Sequence, residues 1–448
     1  MALRDYTKEF RTNIKLALPV MTASIGHLLV GLIDDIMVGS LGPIKLAATS
    51  LGNSLIFIAI SIGIGFSFAI TPLIAESDGE DDIKKGRLQF QHSMILMIVL
   101  ACVLVVFLFL LKPILFHLNQ PPEVVKLAIP YFEIIALSMF PMIIFQGLKQ
   151  FTDGLSQTKY AMQATLITNV INIALNFILI YGWWIFPKTG IVGAAIGTLI
   201  SRIVMVFFML YILKNREIFK PYLYLLKSKE IQKKIFKKII NLGLPSALQM
   251  LFEVGVFTAS ILLAGVIGAF PQAANQIAIK MSATTFMISI GVGVATTIRV
   301  SNQKGLKQFK DLRRIAVSNM LLIGFIMTVF TILFMLFKDL LPLLFTSNQE
   351  VIEIAATLLI VAGIFQISDG VQAIVLAALR GLQDVIVPTY ITFIAYWIIG
   401  FPISYYLGLH TELKTLGIWI GLLISLTLSA IMLFLRFQYL SKKLISNN

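Results

Sequence analysis

The stretch GLIDDIMVGS, residues 31–40, sets two aspartates side by side in an otherwise apolar run. A carboxylate near the middle of a bilayer costs roughly 2.5–3.5 kcal/mol on insertion scales, so each needs a partner or a task. On a helix Asp34 and Asp35 point about 100° apart, so only one can face a given site. Further on, Thr165, Thr168, Asn169, Asn172 and Asn176 recur at helical spacing and form a polar stripe on one face. Beside a carboxylate, such a stripe is an oxygen-rich cage suited to a hard monovalent cation or a proton. It would serve equally as a hydrogen-bonding seam between helices, worth about 0.6–2 kcal/mol per contact. The second half carries its own buried acids: Glu253, one turn after Gln249, and Asp369, flanked by Gln366 and Gln372. Lys280 is the one cation expected deep in that half. It would either bridge to Glu253 or Asp369, or leave the two carboxylates to a proton or a bound cation.

The elements that position these groups are membrane helices. The 448 residues are 58% hydrophobic and 13% charged, with a mean hydropathy of +0.90, a composition that excludes a soluble domain of this size. Twelve apolar runs long enough to cross a bilayer lie near 14–39, 46–74, 90–111, 127–148, 160–183, 190–213, 238–265, 272–298, 315–337, 351–378, 386–409 and 415–437. The lone Cys102 excludes an intrachain disulfide and reads as a small packing residue in a helix. The net charge of +14 is a topology signal before anything else, and it does not point to nucleic acid. Of the 36 Lys and Arg, 28 fall on the side shared by both termini. They include the N-terminal arm (Arg4, Lys8, Arg11, Lys15), nine residues from Lys214 to Lys238 with Lys227 among them, and Arg380 in a short loop. The opposite side holds only six. Both termini are therefore expected in the cytoplasm, with the basic excess also meeting lipid headgroups.

The polar connector at 214–237 divides the chain into an N-terminal six-helix lobe, 1–213, and a C-terminal one, 238–448. LALP at 16–19 recurs as LGLP at 242–245, Gly63 and Gly65 recur as Gly291 and Gly293, and DGLSQ at 153–157 recurs as RGLQD at 380–384. With six helices per copy both copies enter from the same face, so they are parallel repeats. The fold expected is all-α, with two six-helix repeats around a central cavity that opens alternately to either side. No enzyme site is legible: there is no GxxxxGK[ST], HExxH or GxSxG, and His27, His92, His117 and His410 do not cluster. Without a nucleotide-binding domain, transport must run on an ion gradient.

Over nearly its whole length the chain resembles the multidrug and toxic compound extrusion (MATE) family, NorM-like branch. The stretches that carry the likeness are LALPVMTASIGHLLVGLIDDIMVGSLG, LPSALQMLFEVGVFTAS with AANQIAIKMS, IGVGVATTIRVSN, and QISDGVQAIVLAALRGLQDVIVPTYITFIAYWIIGFPISYYLG. The resemblance implies export of organic cations across the cytoplasmic (inner) membrane by antiport with Na+ or H+; no other cofactor is expected, and a monomer is the expected state. It places the family's helix 1 aspartate, fifteen positions after the bend proline, on Asp34 relative to Pro19. It also implies an N-lobe cation site of Asp34, Asn172, Asn176 and Thr198, with Na+ possible at Asp34, Asn172 and Asn176, and C-lobe carboxylates at Glu253 and Asp369. Asp35 and Lys280 depart from that pattern. Asp35 is expected to turn toward a neighbouring helix or the outer interface. Pro19 would let helix 1 bend by breaking a backbone bond. Phe365, Tyr396, Trp397 and Phe401 could face flat cationic drugs through cation-π contacts or pack in the core. Two rivals are a lipid-linked precursor flippase, which would need Arg or Lys in its cavity, and an intramembrane transferase, which would need long polar loops.

Overall fold

The computed structural model describes residues 6–118, 120–183, 187–224 and 228–447. Arg4 and Lys227, counted above among the basic residues, lie outside them. Twelve of its helices are long and apolar enough to cross a membrane: α1 Phe10–Gly39, α2 Pro43–Gly79, α3 Ile83–His117, α4 Pro122–Gly154, α5 Thr158–Tyr181, α6 Ile191–Asn215, α7 Lys233–Ile267, α8 Ala269–Gly305, α9 Phe309–Leu336, α10 Gln349–Gly381, α11 Ile386–Leu409 and α12 Thr415–Ser446. Even the shortest, at 24 residues, reaches about 36 Å, more than the roughly 30 Å hydrocarbon layer. No strand occurs among the described residues. Backbone donors and acceptors have no water to bond in a bilayer, and the helix satisfies them within the segment.

The chain packs as two units, one of Thr22–Ala247 and one of Met1–Met21 with Leu248–Asn448. The divisions fall inside α1 and α7, two residues after Pro19 and two after Pro245, and not in the connector where the sequence suggests the break. Both helices run continuously through their prolines. Within the first unit α4 is central and packs on α2, α3 and α6, while α5 pairs with α6. Within the second, six helices on, α10 packs on α8, α9 and α12, and α11 pairs with α12.

The repeat extends to single atoms. A Cβ on Gly154 would lie 2.7 Å from Ile74 Cβ, and one on Gly381 would lie 2.9 Å from Val300 Cβ. Beside these close approaches, the Thr71 hydroxyl donates to the Gln150 carbonyl at 3.0 Å and that of Thr297 to the Ala377 carbonyl at 2.9 Å. Each helix then ends in a residue of positive φ, Ser156 at 61° and Gln383 at 65°. Small residues let backbones approach where lipid supplies no hydrophobic drive between helices. The scaffold is duplicated, but its acidic residues are not. At the offset of Pro19 to Pro245, Asp34 corresponds to Ser260, and Glu253 to His27.

Two local features bear on the sites. In α11, residues Ile394–Gly400 form a π-helical turn that carries Tyr396 and Trp397. Pro402 follows it; a proline has no N–H to give a carbonyl four residues back, and the wider turn accommodates that loss. The connector is fixed to α3: Arg87 pairs with Glu230, and buried His92 accepts the Gln232 N–H at Nε2 (3.0 Å), with its Nδ1 2.7 Å from the Leu88 carbonyl. His92 is thus part of the packing. Cys102 does not pack; it is exposed on α3 beside Val99, Val103 and Val106, on the apolar face a membrane helix turns to lipid.

Candidate functional site

In the first unit α1 and α5 bring Asp34 to the amide stripe. The Asn176 Nδ2 donates to the Asp34 carboxylate at 2.7 Å and lies 3.3 Å from Asn172 Oδ1. Asn172 in turn donates to the Ser201 hydroxyl of α6 at 3.2 Å. Asn176 is 0% exposed, and its Oδ1 is buried without a hydrogen-bond partner. An orphaned carbonyl oxygen in such a place is costly unless something positive meets it. Asp34 is half-buried, whereas Asp35 is exposed, so the two aspartates separate as the helical rotation requires. Thr165 and Thr168 bond back to the Ala161 and Ala164 carbonyls of their own helix.

Thr198 is close but indirect. Its hydroxyl donates to the Ala194 carbonyl at 2.9 Å, and only its backbone carbonyl joins the chain of bonds, through the Ser201 hydroxyl. The sequence reading passes over Ser201, one turn further along the same face of α6. It also leaves Arg202 without a role. Arg202 donates to the Ser138 hydroxyl at 2.7 Å and lies within electrostatic reach of Asp34 and Tyr131. Gly197 is a third omission. A Cβ there would lie 2.1 Å from Asn176 Oδ1, so glycine leaves the room in which that oxygen sits. In the second unit Gly421 faces Ser404 Oγ at 2.2 Å in the same way, the scaffold recurring without the amide. Gly197→Ala should displace Asn176, cost about 1–3 kcal/mol of stability by overpacking and lower transport at least ~10-fold. Unfolding in detergent and export from vesicles check it, and unchanged export would show that the placement of Asn176 is irrelevant.

In the second unit the deep cation is Arg380, and Lys280 does not take that place. Lys280 is exposed and makes no ion pair with Glu253 or Asp369. Arg380, read from sequence as a loop charge, closes α10, donates to Gln249 Oε1 at 3.0 Å and lies beside Glu253. Asp369 is 5% exposed, one of its oxygens has no hydrogen-bond partner, and it feels the like charge of Glu253. Gln366 accepts from Thr285 at 2.7 Å, and the Tyr396 ring lies among Glu253, Asp369 and Gln372. The expected aromatic wall divides. Phe365 and Tyr396 are each 1% exposed and belong to the core, Phe365 edge-on to Trp419 at 5.3 Å. Trp397 and Phe401 are half-buried with ring centroids 5.7 Å apart, and the Trp397 indole is tied to the Phe252 carbonyl at 3.1 Å.

A duplicated twelve-helix scaffold that buries carboxylates among amides is the architecture of a membrane transporter. The family model described as MatE matches residues 19–178 and 245–406. Multidrug resistance protein NorM of Photobacterium profundum is 32% identical over 444 residues, covering 98% of this chain and 97% of its own. NorM of Vibrio vulnificus is 33% identical over 450 residues, covering 98% of each. The chain belongs to the MATE family of multidrug efflux transporters. Solved structures carry the same fold: the eukaryotic MATE transporter AtDTX14 matches with a TM-score of 0.89 at 18% identity over 99% of both chains. A MATE structure in the bent conformation matches with 0.89 at 23% identity, over 99% of this chain and 97% of that one.

Proposed function

We propose that the protein exports organic cations across the inner membrane by antiport with Na+ or H+, with the coupling ion held at Asp34, Asn172 and Asn176. The observation that carries this reading is the buried, unpartnered Asn176 Oδ1 beside the Asp34 carboxylate. Carboxylate and amide oxygens are the donors a hard cation takes, and the carboxylate alone suffices for a proton. Glu253 and Asp369 supply a second acidic site for the ion or a cationic substrate, with Arg380 as its resident counter-charge. Both termini face the cytoplasm, as the basic asymmetry favours. A lipid-linked precursor flippase draws no support here: Arg202 and Arg380 each sit beside a carboxylate and are already committed, to Ser138 and Gln249.

The test is export of a fluorescent organic cation from proteoliposomes under a sodium gradient and a pH gradient imposed separately. Export driven by either gradient identifies the coupling ion. If neither moves any of several cations, the antiport reading falls.

A further inference from the structure

Where α3 and α7 begin, the first unit forms an open cavity of about 330 Å³, within the size range of small-ligand pockets. Leu73, Leu88 and Ile235 form its apolar lining, and Lys84, Lys85, Lys234 and Lys238 stand around it against one carboxylate, Asp82. The acids nearby are engaged. Asp82 caps α3 through the Lys85 N–H (2.9 Å), Glu80 pairs with the Lys85 ammonium (2.5 Å), and Glu76 with Lys238 (3.5 Å). Asp78 and Asp81 of the same turn do not line the cavity. What remains are donors. Lys84 and Lys234 make no ion pair or hydrogen bond among the described residues. Gln89 lines the cavity at 4% exposure, and its Oε1 accepts from Ser77 at 2.6 Å, which leaves its Nε2 to donate elsewhere. No acid stands in the first turn of α7, so the positive end of its dipole adds to the lysines, whereas that of α3 is met by Asp82.

We propose that this pocket binds the phosphate of an anionic glycerophospholipid, with Lys84, Lys234 and Gln89 as donors. A phosphate oxygen satisfies all three donors. A lipid is favoured over free phosphate because the cavity opens where two membrane-crossing helices begin and its lining is apolar beneath the charges. Ile83 and Ile231, both exposed and adjacent to the pocket, offer surface to the glycerol and upper acyl chains. The connector holds the site open in advance, since His92 and Arg87 fix Gln232 and Glu230 onto α3. This assignment does not depend on the antiport reading.

Full-length protein in detergent is titrated with phosphatidylglycerol or phosphatidylcholine, and bound lipid is counted by native mass spectrometry. Wild type should retain one phosphatidylglycerol in preference to phosphatidylcholine, and excess inorganic phosphate should not remove it. Lys84→Gln/Lys234→Gln should weaken that binding on the order of thirtyfold, at about 1 kcal/mol per lysine. Both side chains are exposed and free of contacts, so the variant should fold. Lys442→Gln/Lys443→Gln, the same loss of charge on α12, should leave binding intact. The proposal is overturned if the first variant binds as wild type does, if the α12 variant loses as much, or if inorganic phosphate displaces the lipid.

Discussion

Asp34→Asn is expected to reduce gradient-driven export to the background of empty vesicles while the protein is made and purified as wild type. The substitution keeps an oxygen where Asn176 Nδ2 donates at 2.7 Å, so the α1–α5 contact survives. It removes the charge. A hydrogen-bonded or coordinated charge contributes roughly 1.5–3 kcal/mol, so affinity for the coupling cation should fall on the order of 10- to 150-fold. An ion that no longer distinguishes two conformations cannot shift their populations, and export then stops instead of merely slowing. Export and sodium or proton uptake measured in the same vesicles decide the matter. Intact, ion-coupled export by Asp34→Asn would move coupling to the second unit.

The second large effect concerns folding. Glu253→Gln removes the carboxylate whose charge reaches Arg380 in the second unit; both side chains are half-buried, and losing that attraction should cost about 1–3 kcal/mol. The Gln249 bond to Arg380 cannot replace a charge. Asp369→Asn should act in the opposite direction, because Asp369 feels the like charge of Glu253 and one of its oxygens is unpartnered. Unfolding in detergent should therefore show a marked loss for Glu253→Gln and no loss for Asp369→Asn. Adding Arg380→Gln to Glu253→Gln should restore most of the stability, as a double-mutant cycle on one pair requires. A Glu253→Gln protein as stable as wild type would show that Arg380 is neutralised elsewhere.

The sequence by itself determined the membrane class, the twelve helices and their duplication, and it singled out the few acids within the apolar runs. These follow from local chemistry: runs of about 20 apolar residues must become helices in a bilayer, and a rare buried acid among them is conspicuous whatever the tertiary arrangement. The 3.6-residue period likewise decided that Asp34 and Asp35 would part and that Asn172 and Asn176 would share a face. The tertiary structure alone decided the partners. Ser201 bonds Asn172 and Gly197 makes room for Asn176 because α6 packs on α5, a relation no local pattern encodes. Arg380 replaced Lys280 as the deep cation of the second unit because α10 continues past its apolar run and carries Arg380 to Gln249. Phe365 and Tyr396 went to the core because aromatic rings at helical spacing fit a protein interior and a ligand wall equally well, and only the neighbouring helices choose between them. The units divide within α1 and α7 and not at the connector for a similar reason: polarity marks where a chain leaves the membrane, whereas packing determines which part of a helix belongs to which body.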